Sequence, residues 1–121
     1  MPHEAASPQR DLAYLRDMLD ACDRIGRFVK GKTFDDYHAD DLLRSAVERQ
    51  IEIVGEAARR LTDAFRSAHP EIPWRPVIAQ RHILAHEYGE IEDDLIWRVA
   101  TVHIPALSEQ IRPLVPDETE A

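Results

Sequence analysis

One cysteine, four glycines and no strand-like run of Val, Ile and Thr set the first limits on this chain of 121 residues. A lone cysteine, Cys22, allows no internal disulfide, and no second one completes a zinc knuckle. Its spacing from Leu15, Met18, Ile25 and Val29 places it on an apolar helix face, so it belongs to the core. Scarce glycine and missing β-branched runs point to an all-α domain. No stretch approaches the ~18–20 apolar residues of a membrane span, and MPHEAASPQR carries no signal-like apolar run, so a cytoplasmic protein that does not enter a membrane is expected. Basic residues are also few: 15 Lys and Arg against 23 Asp and Glu leave a net charge of −8. That excess weighs against loose electrostatic binding of nucleic acid, because phosphate contacts come from clustered cations. It leaves room for a narrow site built from a few arginines, and equally for a basic protein partner.

What is present describes a single globular domain over residues 1–121, with an ordered core from about 8 to 113. A hydrophobic content of 44% with 31% charged residues is too apolar for disorder. Ser7-Pro8 reads as a helix start, and Leu12, Leu15, Met18, Cys22, Ile25 and Val29 then recur at three- and four-residue steps up to a terminating Gly31. Thr33 and Asp36 resemble a capping box that opens a short turn, pinned to the core by Phe34 and Tyr37, with His38 expected in a surface loop. From Asp40 to about His69-Pro70 the spacing of Leu43, Val47, Gln50, Val54, Ala57, Leu61 and Phe65 predicts one long helix. Gly55, Ala57 and Ala58 would admit a close neighbour, and Glu48, Arg49, Glu52, Glu56, Arg59, Arg60 and Asp63 would form a solvated face. Pro73 and Pro76 allow the next helix to begin only near Pro73 or Trp74, and Gly89 would end it. A last helix opens at Glu92-Asp93-Asp94, is kinked by Pro105 and stops at Pro113 and Pro116. The expected architecture is an all-α, up-and-down bundle of four main helices plus a short helical turn.

One stretch does not read as scaffold. Arg81, His82, His86, Glu87 and Tyr88 crowd into eight residues of the otherwise apolar helix between Trp74 and Gly89. Residues of these types collect where recognition or proton transfer takes place. His82 and His86 fall about 40° apart on one helix face, the geometry of a two-histidine metal site. A zinc site needs a further ligand, for which Glu87 or His103 are the candidates, and the zincin pattern would require Glu where this chain has Ile83. Phosphodiester chemistry suits the set better: Arg81 can grip phosphate with its fork, His86 can move protons near neutral pH, and Tyr88 can stack on a base or donate to phosphate. A plainer account has Arg81 paired with an acid, His86 at a helix end and Tyr88 half-buried. Arg81 and His86 diverge by about 140° on a helix, a difficulty that eases if two copies face a common cleft.

Arg81, four residues, His86, one residue and Tyr88 match the Arg-x4-His-x-Tyr signature of the HEPN superfamily. The flanks IEIVGEAARRL at 51–61, EIPWRPVIAQRHILAHEY at 71–88 and IEDDLIW at 91–97, with RDLAYLRDMLDACDRI at 10–25, resemble its HepT-like branch of toxins. The resemblance spans roughly residues 10–112. It implies a helical homodimer with metal-independent endoribonuclease activity and no cofactor, in which Arg81 and His86 are catalytic and meet at a cleft between subunits. His82 and Tyr88 would be auxiliary or substrate-binding. It further implies a cognate antitoxin, a minimal nucleotidyltransferase that transfers AMP to Tyr88. This chain departs from the branch at His82, where relatives often carry Asn. The alternative function is a non-catalytic helical subunit that docks a nucleotidyltransferase and helps form its nucleotide site.

Overall fold

A computed structural model describes residues 7–86 and 93–116, with side chains over 9–80 and 93–116. Among the described residues there is no strand, and the helices pack as an all-α bundle. Gly89 and Glu92, expected at helix boundaries, lie outside the described residues.

Helix α1 (Ser7–Val29) buries the stripe Leu15, Met18, Cys22 and Ile25 anticipated from its spacing. Gly31 ends it at a positive φ of 74°, a conformation that side chains with a Cβ rarely adopt. Cys22 is buried, and burial first, with the nearby Asp23 charge second, pushes its thiol up to about 12. A thiol held protonated in this way is core, not nucleophile. Helix α2 (Phe34–Ala39) starts with the expected capping box: Asp36 N–H donates to Thr33 Oγ1 at 3.1 Å and Thr33 N–H to Asp36 Oδ2 at 2.9 Å. The Thr33 amide first, and its hydroxyl second, hold the Asp36 carboxyl below its usual range. His38, expected in a loop, is a residue of α2.

Helix α3 (Asp41–Arg60) is capped by Asp40, whose side chain accepts from Leu43 N–H at 3.1 Å. Its Val47, Ile51, Val54, Gly55, Ala57 and Ala58 are buried, and α1 and α5 are its principal neighbours. On its outer face Arg49 pairs with Glu52 at 3.2 Å, while Arg59 and Arg60 reach Glu56 at 2.8 and 2.7 Å, as a solvated face should.

The single long helix expected up to His69-Pro70 is instead two. Leu61 and Thr62 are extended, and helix α4 (Asp63–Ala68) begins afresh. Thr62 Oγ1 caps α4 by accepting from Phe65 N–H at 3.1 Å. It also donates to Asp11 Oδ2 at 2.7 Å, and its own N–H donates to Asp11 Oδ1 at 2.8 Å. A carboxylate on α1 thus takes the amide that a continued helix would have used. Nothing in the local apolar spacing could reveal it.

Helix α5 (Trp74–His86) starts where the prolines require, with Pro76 in its first turn. Trp74 Nε1 donates to His69 O at 3.0 Å and its ring meets Phe65 edge-on at 6.1 Å, which fixes the entry to the helix. Gln110 Nε2 donates to Glu71 O at 2.9 Å from the far end of the chain. After residue 92 come helix α6 (Asp93–Arg98), a π-helical turn (Val99–His103), helix α7 (Ile104–Ile111) and a 3₁₀ turn (Arg112–Leu114). The kink expected at Pro105 takes the form of the π-helical turn just before it. Proline gives no N–H to the carbonyl four residues back and its ring crowds that carbonyl. A wider turn, with Ile104 N–H bonded to Val99 O, carries the chain past the conflict.

Asp11 is only 6% exposed and is the sole link described between α1 and the Leu61–Thr62 break. Asp11→Ala would leave the Thr62 amide and hydroxyl unsatisfied and should cost about 1–3 kcal/mol. Chemical denaturation at pH 7 measures this, and a change under a few tenths would show that the two bonds hold nothing.

Candidate functional site on α5

Because α5 is helical through His86, the positions of its polar residues follow from the helical repeat. Arg81 comes four residues after buried Val77 and seven after half-buried Trp74 in the helical register. His82 and His86 come three and seven residues after exposed Ala79 in the same register. Arg81 and His86 are therefore about 140° and about 7.5 Å of rise apart along the helix. The side chains of Arg81, His82 and His86 are not among those described, and Tyr88 and Glu87 lie outside the described residues altogether.

Beside the outer face of α5 runs an apolar groove of about 240 Å³. Pro76, Ala79 and Gln80 of α5 form one wall, Leu95 and Ile96 of α6 the other, and Val99 and His103 of the π-helical turn close one end over Ile51 of α3. Leu95 of this groove is 44% exposed, and Val102 of the π-helical turn is 53% exposed. His103 lines this groove, and among the described residues no group of three His, Cys, Asp or Glu side chains gathers to hold a metal ion. No described helix is long and apolar enough to cross a membrane.

A second set of polar groups stands where α6 begins. His38 Nδ1 and Asp93 Oδ2 are 2.8 Å apart, and Arg44 Nε lies 3.9 Å from the same oxygen. Arg44 also pairs with Asp41 and donates to the His38 carbonyl. Aromatic rings extend the contact: Phe34 stacks on His38 at 5.6 Å, and Tyr37 and Phe34 meet Trp97 at 5.3 and 6.5 Å. Tyr37 is fully buried, and its hydroxyl finds no hydrogen-bond partner among the described residues. Burial, then the charges of Glu48 and Asp93, raise its phenol above the ordinary range. Glu48, expected on a solvated face, is half-buried, and burial followed by the Asp93 charge raises its carboxyl. His38 and Asp93 are 55 positions apart in the chain, so no motif could have joined them.

A family model described as "Ribonuclease HepT-like" matches residues 18–114. The chain belongs to the HepT-like ribonuclease family. Curated proteins agree with the family's name. One named "Putative RNase", from Caldanaerobacter subterraneus subsp. tengcongensis, is 34% identical over 105 residues, covering 87% of this chain and 94% of its own. Another, from Thermococcus cleftensis and named "Probable ribonuclease HepT", is 34% identical over 101 residues, covering 84% and 92%. A "Putative RNase" of Methanocaldococcus jannaschii is 31% identical over 104 residues, covering 85% and 95%. No solved structure matches the chain significantly.

Glu48 supplies a pH test of this HepT-like fold. With its folded pKa raised, the protonated form is favoured in the folded state, and stability is lost as pH rises through that value. Glu48→Gln should accordingly raise the melting temperature at pH 7, with the gain vanishing below about pH 4, where unfolded and folded Glu are both protonated. A lower melting temperature at pH 7 would mean that the Glu48 charge is used in an attractive contact.

Proposed function

We propose that this chain is an RNA-cleaving toxin whose site is built from Arg81 and His86, with His82 and Tyr88 beside them. The observation that carries the reading is membership of the HepT-like ribonuclease family together with the Arg-x4-His-x-Tyr pattern on and just after α5. The chemistry suits metal-independent transesterification. A histidine takes the proton from a ribose 2′-OH, the 2′-oxygen bonds to phosphorus, and the bond to the 5′-oxygen breaks as that oxygen receives a proton. The products are a 2′,3′-cyclic phosphate and a 5′-hydroxyl. His86 serves as one proton carrier and His82, one turn earlier on the same helix face, as the other. Arg81 steadies the charge that gathers on the phosphate.

The angle between Arg81 and His86 favours a homodimer in which Arg81 of one copy and His86 of the other face a shared cleft. The apolar groove and exposed Leu95 and Val102 beside α5 are suited to such a contact. The cognate antitoxin is a minimal nucleotidyltransferase that adds AMP to Tyr88. A phosphodiester there would occupy Arg81 and fill the place of a base. The net charge of −8 favours a second reading, in which the chain is a non-catalytic subunit that docks the nucleotidyltransferase and contributes to its nucleotide site.

RNA cleavage in EDTA by the isolated protein, abolished by Arg81→Ala, decides between them; a folded protein that leaves RNA intact supports the non-catalytic subunit. His86→Ala should lower cleavage by about 10²–10⁴-fold, and unchanged cleavage would remove His86 from the chemistry. Light scattering should return about twice 13.9 kDa, and a monomer at micromolar concentration would rule out the shared cleft. Tyr88→Phe should keep part of its cleavage but escape inactivation by the transferase and ATP. Full neutralisation of that variant, or AMP on another residue by mass spectrometry, would place the switch elsewhere.

A further inference from the structure

Helix α6 forms the first six residues of a helical run that continues through the π-helical turn and α7 to Ile111, so its first turn is the end farthest from α7. Its place is set by buried Ile96, by the rings around Trp97 and by the polar contacts of its first residue, Asp93. A carboxylate at the start of a helix has free amides of its own to face, and Asp94 next to it is exposed in the ordinary way. Asp93 instead turns to α2 and α3, with its side chain 18% exposed, where it meets His38 and Arg44. Burial first, and then the Asp93 charge, raise both Glu48, a second acid, and Tyr37, a buried hydroxyl with no partner among the described residues. Stability alone does not account for two carboxylates beside a phenol that has no partner among the described residues. Nor does the His38–Asp93 pair add much stability, since His38 is 66% exposed.

What the pair does is tie the first residue of α6 to α2 and α3. Leu95 and Ile96 form the wall of the groove that faces Ala79 and Gln80, and the positions of His82 and His86 continue the Ala79 face of α5. We propose that Asp93, gripped by His38 and Arg44, is a positioning residue for RNA cleavage: it fixes the first turn of α6 against α2 and α3 and thereby sets the groove wall opposite Ala79 and Gln80, in the helical register that leads on to His82 and His86. The inference rests on the ribonuclease reading above. It gives α2, whose residues carry no part of the signature, a role in the rate.

The test uses the full-length protein, with RNA as substrate in EDTA. Asp93→Asn and His38→Ala should each lower kcat by about 10–10²-fold, the cost of misplacing a reacting group by an ångström or less, with KM nearly unchanged. His38→Asn, whose side-chain N–H can stand where Nδ1 does, should recover most of the rate. Asp94→Asn removes the same charge from the same helix turn and should leave cleavage and melting temperature unchanged. The double variant Asp93→Asn/His38→Ala should be no slower than the worse single one, because the two act as a unit. A wild-type enzyme that cleaves while Asp93→Asn keeps pace with it would overturn the positioning role alone. So would a loss that merely follows the unfolded fraction seen by circular dichroism, or one that His38→Asn does not relieve. Failure of the wild type to cleave any RNA would overturn the ribonuclease reading and this inference with it.

Discussion

The packing of α3 between α1 and α5 is the contact on which the rest of the bundle depends. Val47, Ile51, Val54 and Ala58 are without solvent exposure, and α1 answers with Met18, Ala21 and Ile25, likewise shut off from water. Small residues at Gly55, Ala57 and Ala58 let the partners approach closely, and dispersion and burial both grow with that approach. Helix α5 is then held by its buried Val77 and by the tryptophan at its start. Its remaining circumference is free to carry polar groups that a central helix could not.

That freedom has a geometric cost. A helix is a rigid ruler, and five residues along it separate Arg81 from His86 by more than a third of a turn. Helix positions that far apart suit a site completed by something packed against α5. The groove between α5 and α6, with its exposed apolar rim, is the described surface that such a neighbour would meet. The wall formed by α6 matters for the same reason. Its first turn is held against α2 and α3 by the His38–Asp93 pair and by the rings of Phe34, Tyr37 and Trp97.

Polar side chains, rather than apolar ones, account for the places where the chain departs from its periodicity. Thr62 is recruited by Asp11 from 51 positions away and splits a helix whose apolar spacing continues undisturbed through Phe65. Glu48 shares the spacing of the solvated acids around it, yet lies half-buried beside Tyr37 and Asp93. At Pro105 the local chemistry did forecast a disturbance, and only its form, a π-helical turn over Val99–His103, came from the fold.

The sequence by itself determined the helical class, the apolar stripes of α1 and α3, the Thr33–Asp36 capping box, the proline-bounded start of α5 and the family to which the Arg81–Tyr88 signature belongs. Each of these depends on residues within a few positions of one another, where the helical repeat and backbone hydrogen bonding act. Only the tertiary structure decided the break at Leu61–Thr62, the burial of Glu48, and the meeting of His38, Arg44 and Asp93 at the head of α6. Those are contacts between charges and hydrogen-bonding groups far apart in the chain, and such groups acquire partners only once apolar packing has brought their helices together.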